Sequence, residues 1–391
     1  MRVFALVLAV LLTFGCQKKD DSSQSSQTEK PSASQRALAV TEQTGKFVIN
    51  PQFDSADPFS EGLASVRIGD DISGKWGYID KQGKMVINPQ FVSATSFKED
   101  FAAVCIGDDK TGKRGYIDKQ GKMVIIPQFD GASAFNEGLA IVFVGGKKTG
   151  KHGYIDKKGK IVINPKFDVA SEFNDGLAMV LMVKGERNVF SYINIQGNEV
   201  IRPLVDFASN FRDHLASIYI DEKNIRKWGY INKNGDIEIS PQFAWAGDFH
   251  ERLAVVSIGA VVRPGEEMKG KQGYIDTQGK MVINPQFDSA NNFSEGLAVV
   301  RIGDKTTGKW GYIDKQGKMV INPQFDFAHS FFEGLASVRI GDDNTGKWGY
   351  IDKQGKIVIN PQFDSVRGFS EGLAAVRIGD DKTGKWGYIS R

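Results

Sequence analysis

One phrase recurs along the chain every 38 residues, and no other feature restricts the possible folds as strongly. The glycine of a G-Y-I triplet stands at Gly77, Gly115 and Gly153, is replaced by Ser191, and returns at Gly229, Gly273, Gly311, Gly349 and Gly387. Every interval is 38 residues except the 44 between Gly229 and Gly273. A proline keeps step from Pro51 to Pro361, and an E-G-L-A-like phrase from Leu63 to Leu373. A period of this size marks a repeat architecture, in which a unit hides its apolar face only against a neighbour. The 391 residues therefore do not divide into two or three ordinary domains.

Each unit carries three strand-like runs, seen in L-A-S-V-R-I (335–340), K-W-G-Y-I-D (347–352) and K-I-V-I-N (356–360). They are short, β-branched or aromatic, and bounded by Gly, Asp or Pro. The D-K-Q-G between the second and third runs suits a tight hairpin, with glycine in the left-handed conformation. Pro361 cannot donate to a ladder and is expected to end the third strand. The unit is thus an antiparallel three-stranded meander. The folded region opens on Gly45-Lys46-Phe47-Val48-Ile49-Asn50, a third strand with no partner before it. It closes on Lys385-Trp386-Gly387-Tyr388-Ile389, a second strand with no partner after it. Two such edges are an aggregation hazard in an open row, and pairing them would seal a ring. The expectation is an all-β, closed propeller-like array of nine repeats; an open β-solenoid is the alternative.

Met1–Cys16 has one positive charge, a run of apolar residues too short to span a bilayer, and a terminal cysteine. It resembles a bacterial lipoprotein signal. That resemblance implies cleavage after residue 15, lipidation of Cys16, a lipid bilayer as partner, and a place in the cell envelope at the outer membrane or periplasmic face. Residues 16–43 are polar and rich in Ser and Gln. Such a stretch cannot bury enough surface to fold and reads as a flexible tether. The β domain then occupies 44–391.

Several function classes fall away. With 50 basic and 47 acidic residues, the chain has no electrostatic footprint for nucleic acid. Its two cysteines, Cys16 and Cys105, rule out a disulfide framework, and Cys105 reads as an inert thiol. His152, His214, His250 and His329 stand at different phases of the repeat, so no metal-ligand spacing emerges. No nucleophile elbow, phosphate loop or dinucleotide fingerprint is present. Neither enzyme activity nor a cofactor is expected. Asp70-Asp71, Asp108-Asp109, Asp342-Asp343 and Asp380-Asp381 lack the alternating oxygen ligands of a calcium loop and read as turn formers.

The aromatic residues are the candidates for contact. Trp76, Trp228, Trp310, Trp348 and Trp386 precede the glycine, and tyrosines such as Tyr350 follow it. Alternation puts both on one sheet face, with the glycine allowing close approach on the other. Arg339 and its equivalents Arg67, Arg301 and Arg377 are placed to stack on those rings. The row can be read as platforms for a ligand or as packing between units. The single insertion, Gly259–Met268 with Arg263, can be a tolerated loop or a partner contact.

K-W-G-Y-I-D-K-Q-G-K, together with I-N-P-Q-F-D and F-x-E-G-L-A, resembles the bacterial KWG or WG-repeat family over 46–391. The resemblance implies an extracytoplasmic protein that binds rather than catalyses. The combined expectation is a membrane-anchored scaffold for an unknown protein or glycan. An envelope hydrolase of glycan or peptide, or a structural spacer, are the alternatives.

Overall fold

The computed structural model describes residues 45–108, 111–185, 187–222, 225–259 and 270–391. The signal segment, Cys16, the tether, Asp109, and most of the insertion with Arg263 lie outside the described residues. The repeat region forms one compact unit, Gln43–Arg391.

The repeats fold into nine antiparallel sheets of four strands each, so the three-strand expectation is corrected. In blade 8 the strands are Phe327–Ala328, Ala336–Ile340, Lys347–Ile351 and Ile357–Phe363, neighbours in that order. The extra strand has only two residues, paired as Phe327↔Arg339 and Ala328↔Val338. Two residues are too few to show an alternation, which is why the residue pattern reads it as connection.

Two turns shape each blade. Asp352 N–H bonds the Lys356 carbonyl at 3.0 Å and Gly355 N–H the Asp352 carbonyl at 2.9 Å, with Gly355 at φ 80°. This is the expected glycine-closed hairpin. The E-G phrase makes a second turn. Glu371 and Gly372 have φ 54° and 83°, and Ser370 and Leu373 exchange both backbone hydrogen bonds. Left-handed conformation at both central residues is a type I′ hairpin. Each sheet thus has these two turns at one end and its remaining connections at the other.

The fourth strand does not stop at proline. It runs from Ile357 through Pro361 to Phe363, pairing Tyr350↔Ile359 and Trp348↔Phe363. Four residue steps on one strand answer two on the other, so Asn360-Pro361-Gln362 bulge out of the ladder. Proline is tolerated there because a bulged residue need not donate. The bulge lies over Gly349, where a Cβ would stand 2.4 Å from the Ile359 carbonyl oxygen and 2.6 Å from Pro361 N. The glycine of the repeated phrase is therefore an architectural device.

The second and third strands of each sheet bury both faces, the fourth buries alternate residues, and the cores lie between blades. One core joins Leu335, Tyr350, Ile359 and Phe363 of blade 8 to Phe369, Ala374, Val376 and Ile389 of blade 9. Another joins Leu373, Ala375, Trp386 and Tyr388 of blade 9 to Ala56, Phe59, Ala64, Val66 and Ile79 of blade 1. Nine such clusters serve nine blades; an open row would have eight. Phe47–Phe53 supplies the fourth strand of blade 9, pairing Phe47↔Ile389 and Phe53↔Trp386. The array is a closed nine-bladed propeller, and the solenoid alternative is excluded.

A candidate binding site where the repeat breaks

The repeated side chains are mostly occupied in holding blades together. All nine tyrosines of the phrase are at most 1% exposed. Each donates its hydroxyl to a carbonyl of the next blade, as Tyr350 does to Arg367 at 2.7 Å and Tyr388 to Asp57 at 2.8 Å. Tyr350 is therefore not available as a surface contact; burial of a large ring with a satisfied hydroxyl is its role. Trp310 and Trp386 are also buried, at 8% and 7% exposed. Trp76, Trp228 and Trp348 are half-buried. The expected stacking is present: Arg67, Arg301, Arg339 and Arg377 lie 6.0, 5.5, 5.7 and 5.8 Å from the centroids of Trp76, Trp310, Trp348 and Trp386. Arg339 is tied down further by its ion pair with Asp343. The aspartate turns are self-contained: Asp342 accepts Asn344 and Thr345 N–H groups, both at 2.8 Å.

At the E-G end, a chain of interactions runs between blades. The Glu of one turn accepts an N–H of the next, as Glu333 does from Gly372 at 2.9 Å and Glu371 from Gly62 at 3.0 Å. In six blades a lysine of the following D-K-Q-G hairpin also reaches that carboxylate. These pairs are Lys81–Glu371, Lys119–Glu61, Lys157–Glu99, Lys233–Asp175, Lys315–Glu251 and Lys353–Glu295, at 2.9–3.5 Å. Burial works against ionisation of Glu61 and Glu295. The lysine ammonium and neighbouring N–H groups outweigh it and hold both carboxyls below the usual glutamate value.

Among the described residues the lysine link is absent from three junctions, Ile195 standing opposite Glu137 in one of them, and between blades 5 and 6 further departures accompany its loss. Thr277 stands where the lysine would meet Asp213. His214 and Arg252 replace the turn glycines, keeping φ 70° and 69°, a backbone region that costs a side-chain-bearing residue energy. Glu238 replaces the exposed valine of the fourth strand. These four departures converge on one cavity of about 560 Å³, which Asp213, Asn232 and Gln278 also line. Asp213 retains a 2.7 Å bond from Arg252 N–H, and Glu238 accepts the Asn232 side-chain amide at 2.9 Å. Among the described residues neither carboxylate has a cationic side chain within ion-pair distance. A second hollow of about 260 Å³ adjoins, sharing Asp213 and His214 and reaching Arg212 and His250. Burial, then the Arg212 guanidinium, push His250 below the usual imidazole value against three nearby carboxylates. Residue-by-residue comparison of the units holds the signal for this site, since each departure is visible in sequence. Their convergence is not, because the four positions lie in three turns and a strand of two blades.

Nine stretches match the WG-containing repeat family: 42–70, 76–110, 115–147, 153–182, 190–223, 228–260, 273–305, 310–342 and 348–386. No curated protein matches the chain. Among solved structures, a eukaryotic initiation factor is 12% identical with a TM-score of 0.55, over 81% of this chain and 89% of that one. At that identity the likeness is one of fold. A prolyl endopeptidase gives a TM-score of 0.45 at 9% identity, and this chain spans 56% of its length. The β-propeller domain of the Trilobed protease from Pyrococcus furiosus gives 0.40 at 10% identity, over 81% of this chain and 99% of that one.

Proposed function

For a chain that belongs to the WG-containing repeat family, we propose the role of a binding scaffold for a protein or glycan, held at the cell envelope through lipidated Cys16. One observation carries the binding reading: the four departures His214, Arg252, Thr277 and Glu238 meet in a single cavity. Carboxylates, a guanidinium, an imidazole and amides around an open hollow suit hydroxyl and amine groups better than an apolar ligand. Returning the site to the repeat with H214G, R252G, T277K and E238V provides the test, because these substitutions restore residues the fold already uses. Arrays of glycans and envelope proteins should bind the natural protein and lose that binding with the restored one. Equal binding by both would remove the site from the account. Cys16→Ala should move the protein from the membrane fraction to the soluble fraction.

The pair Asp213 and Glu238 also makes hydrolysis a second reading, since two carboxylates are the usual equipment for glycoside cleavage. Turnover of a glycan or peptide library, abolished by D213N or E238Q, would establish it over pure binding.

A further inference from the structure

Blade 4 departs from its siblings at several positions, and one side chain, Ser191, alters its backbone. In the other eight blades the bulged fourth strand presses so close to the G-Y-I glycine that a Cβ would meet its carbonyl oxygen at 2.3–2.5 Å. Ser191 carries that Cβ, so the bulge cannot form. Its hydroxyl instead donates to Glu199 at 2.8 Å, and Glu199 also pairs with Arg202 at 2.6 Å. The fourth strand shrinks to Glu199–Ile201 and pairs only with Tyr192 and Ile193. The pairing that joins Trp348 to Phe363 in blade 8 has no counterpart at Phe190.

One consequence follows. Residues 202–205 leave the ladder with Leu204 93% exposed, and a cavity of about 760 Å³ opens beside Phe190 and Tyr219. The third strand, Arg187–Asn194, meanwhile pairs with the second along its whole length, out to Lys184↔Arg187. Its other edge has no ladder partner from Arg187 to Phe190; in blade 5, whose third strand is equally long, the bare stretch ends at Lys227 because Trp228 pairs with Phe243. An unpaired edge beside a roomy groove is a template for an added strand.

We propose that this edge binds an extended, acidic peptide segment of a partner protein as a replacement fourth strand. Backbone groups of Arg187–Phe190 supply the ladder, and apolar side chains of the peptide settle against Leu204 and the ring of Phe190. The charge preference follows from what is already paired. Among the described residues Arg202 is matched by Glu199 and Asp221 by Arg226 at 3.6 Å, whereas Lys184 and Arg187 at the rim form no ion pair and outnumber Asp206, a lining carboxylate that accepts only the Asp221 N–H. This site is separate from the blade 5–6 cavity, and its fate is independent of that one.

The probe is a fluorescein-labelled decapeptide alternating Glu and Val, read by anisotropy against the full chain. A Lys-Val peptide of equal length and a Glu-Val peptide N-methylated on alternate amides are the comparisons. The Glu-Val peptide should bind at least about tenfold more tightly than either, since the first comparison loses the charge match and the second the ladder. The variant S191G/R202N/L204Q/V205F restores the repeat and lets blade 4 complete its own fourth strand. It should abolish binding while its denaturation midpoint stays equal or rises. K184E/R187E should reverse the peptide preference while leaving the backbone edge in place. Absence of binding at millimolar Glu-Val peptide, equal binding of the N-methylated peptide, or undiminished binding by the restored, folded variant would each overturn the proposal.

Discussion

The glycines of this protein fall into two kinds that substitution distinguishes. Gly349 has ordinary backbone but no room, with backbone atoms 2.4–2.9 Å from a hypothetical Cβ. Gly372 has φ 83° and nothing within 4 Å. Gly349→Ala should destabilise by about 1–3 kcal/mol as the bulge is forced outward, and Gly349→Asn should be worse. Gly372→Ala should cost about 1–2 kcal/mol, and Gly372→Asn should recover most of it, because asparagine tolerates the left-handed region. Denaturant midpoints of the four variants check this; a Gly349→Asn variant no worse than Gly349→Ala, or a Gly372→Asn variant no better than Gly372→Ala, would contradict the steric account. The tyrosines give a residue-scale prediction in pH. Burial raises all nine well above the ordinary value of 10.0. A raised value means the fold favours the neutral phenol, so that stability is fully present below pH 10.0 and is lost as pH rises above it. The ultraviolet signature of these phenolates should appear in one cooperative step coincident with unfolding.

At the level of strands and turns, ion pairs fix the acid limit. Desolvation works against ionisation of Asp364, but the Lys347 ammonium and the Gly379 N–H hold its carboxyl below 3.8. Asp54, Asp288 and Asp326 repeat the arrangement with Lys385, Lys271 and Lys309. Lowered values mean stability present above pH 3.8 and lost as pH falls through the folded values. The denaturation midpoint should therefore be flat near neutrality and fall below about pH 4; D364N should flatten that fall slightly, the pair being partly exposed. Three strands per unit, the glycine hairpin and the Arg–Trp stacking were legible because alternation, turn chemistry and cation–π geometry act over a few residues. The two-residue strand was not, since Phe327–Ala328 has too few positions to show a period. Proline inside a strand was misjudged for a related reason: the bulge that admits Pro361 depends on Gly349, twelve residues away in sequence and opposite it in the sheet. The contact role expected of Tyr350 failed because its strand has no free face, a fact that belongs to neighbours rather than to the blade.

For the whole molecule, closure is the property to test. Removing residues 45–53 strips blade 9 of its fourth strand and breaks the ninth core, where Ile49 and Phe53 are each 3% exposed. The truncated protein should lose several kcal/mol and self-associate, seen as a lowered melting temperature and a larger mass in sedimentation. A circular permutant opened in another D-K-Q-G hairpin, between residues 353 and 354, with residues 391 and 45 joined by a short linker, should fold with nearly native stability. If the truncation were harmless, the sealed ring would be wrong. That Gly45 N–H bonds the Ser390 carbonyl at 3.1 Å also bears on how the body comes into being. During synthesis the strand Phe47–Phe53 emerges before its own partner exists and must wait while eight further units assemble. Until residue 390 leaves the ribosome, it is an orphan edge with a greasy flank. A chaperone that shields it, or a premature stop that never releases its mate, would decide whether the circle forms at all.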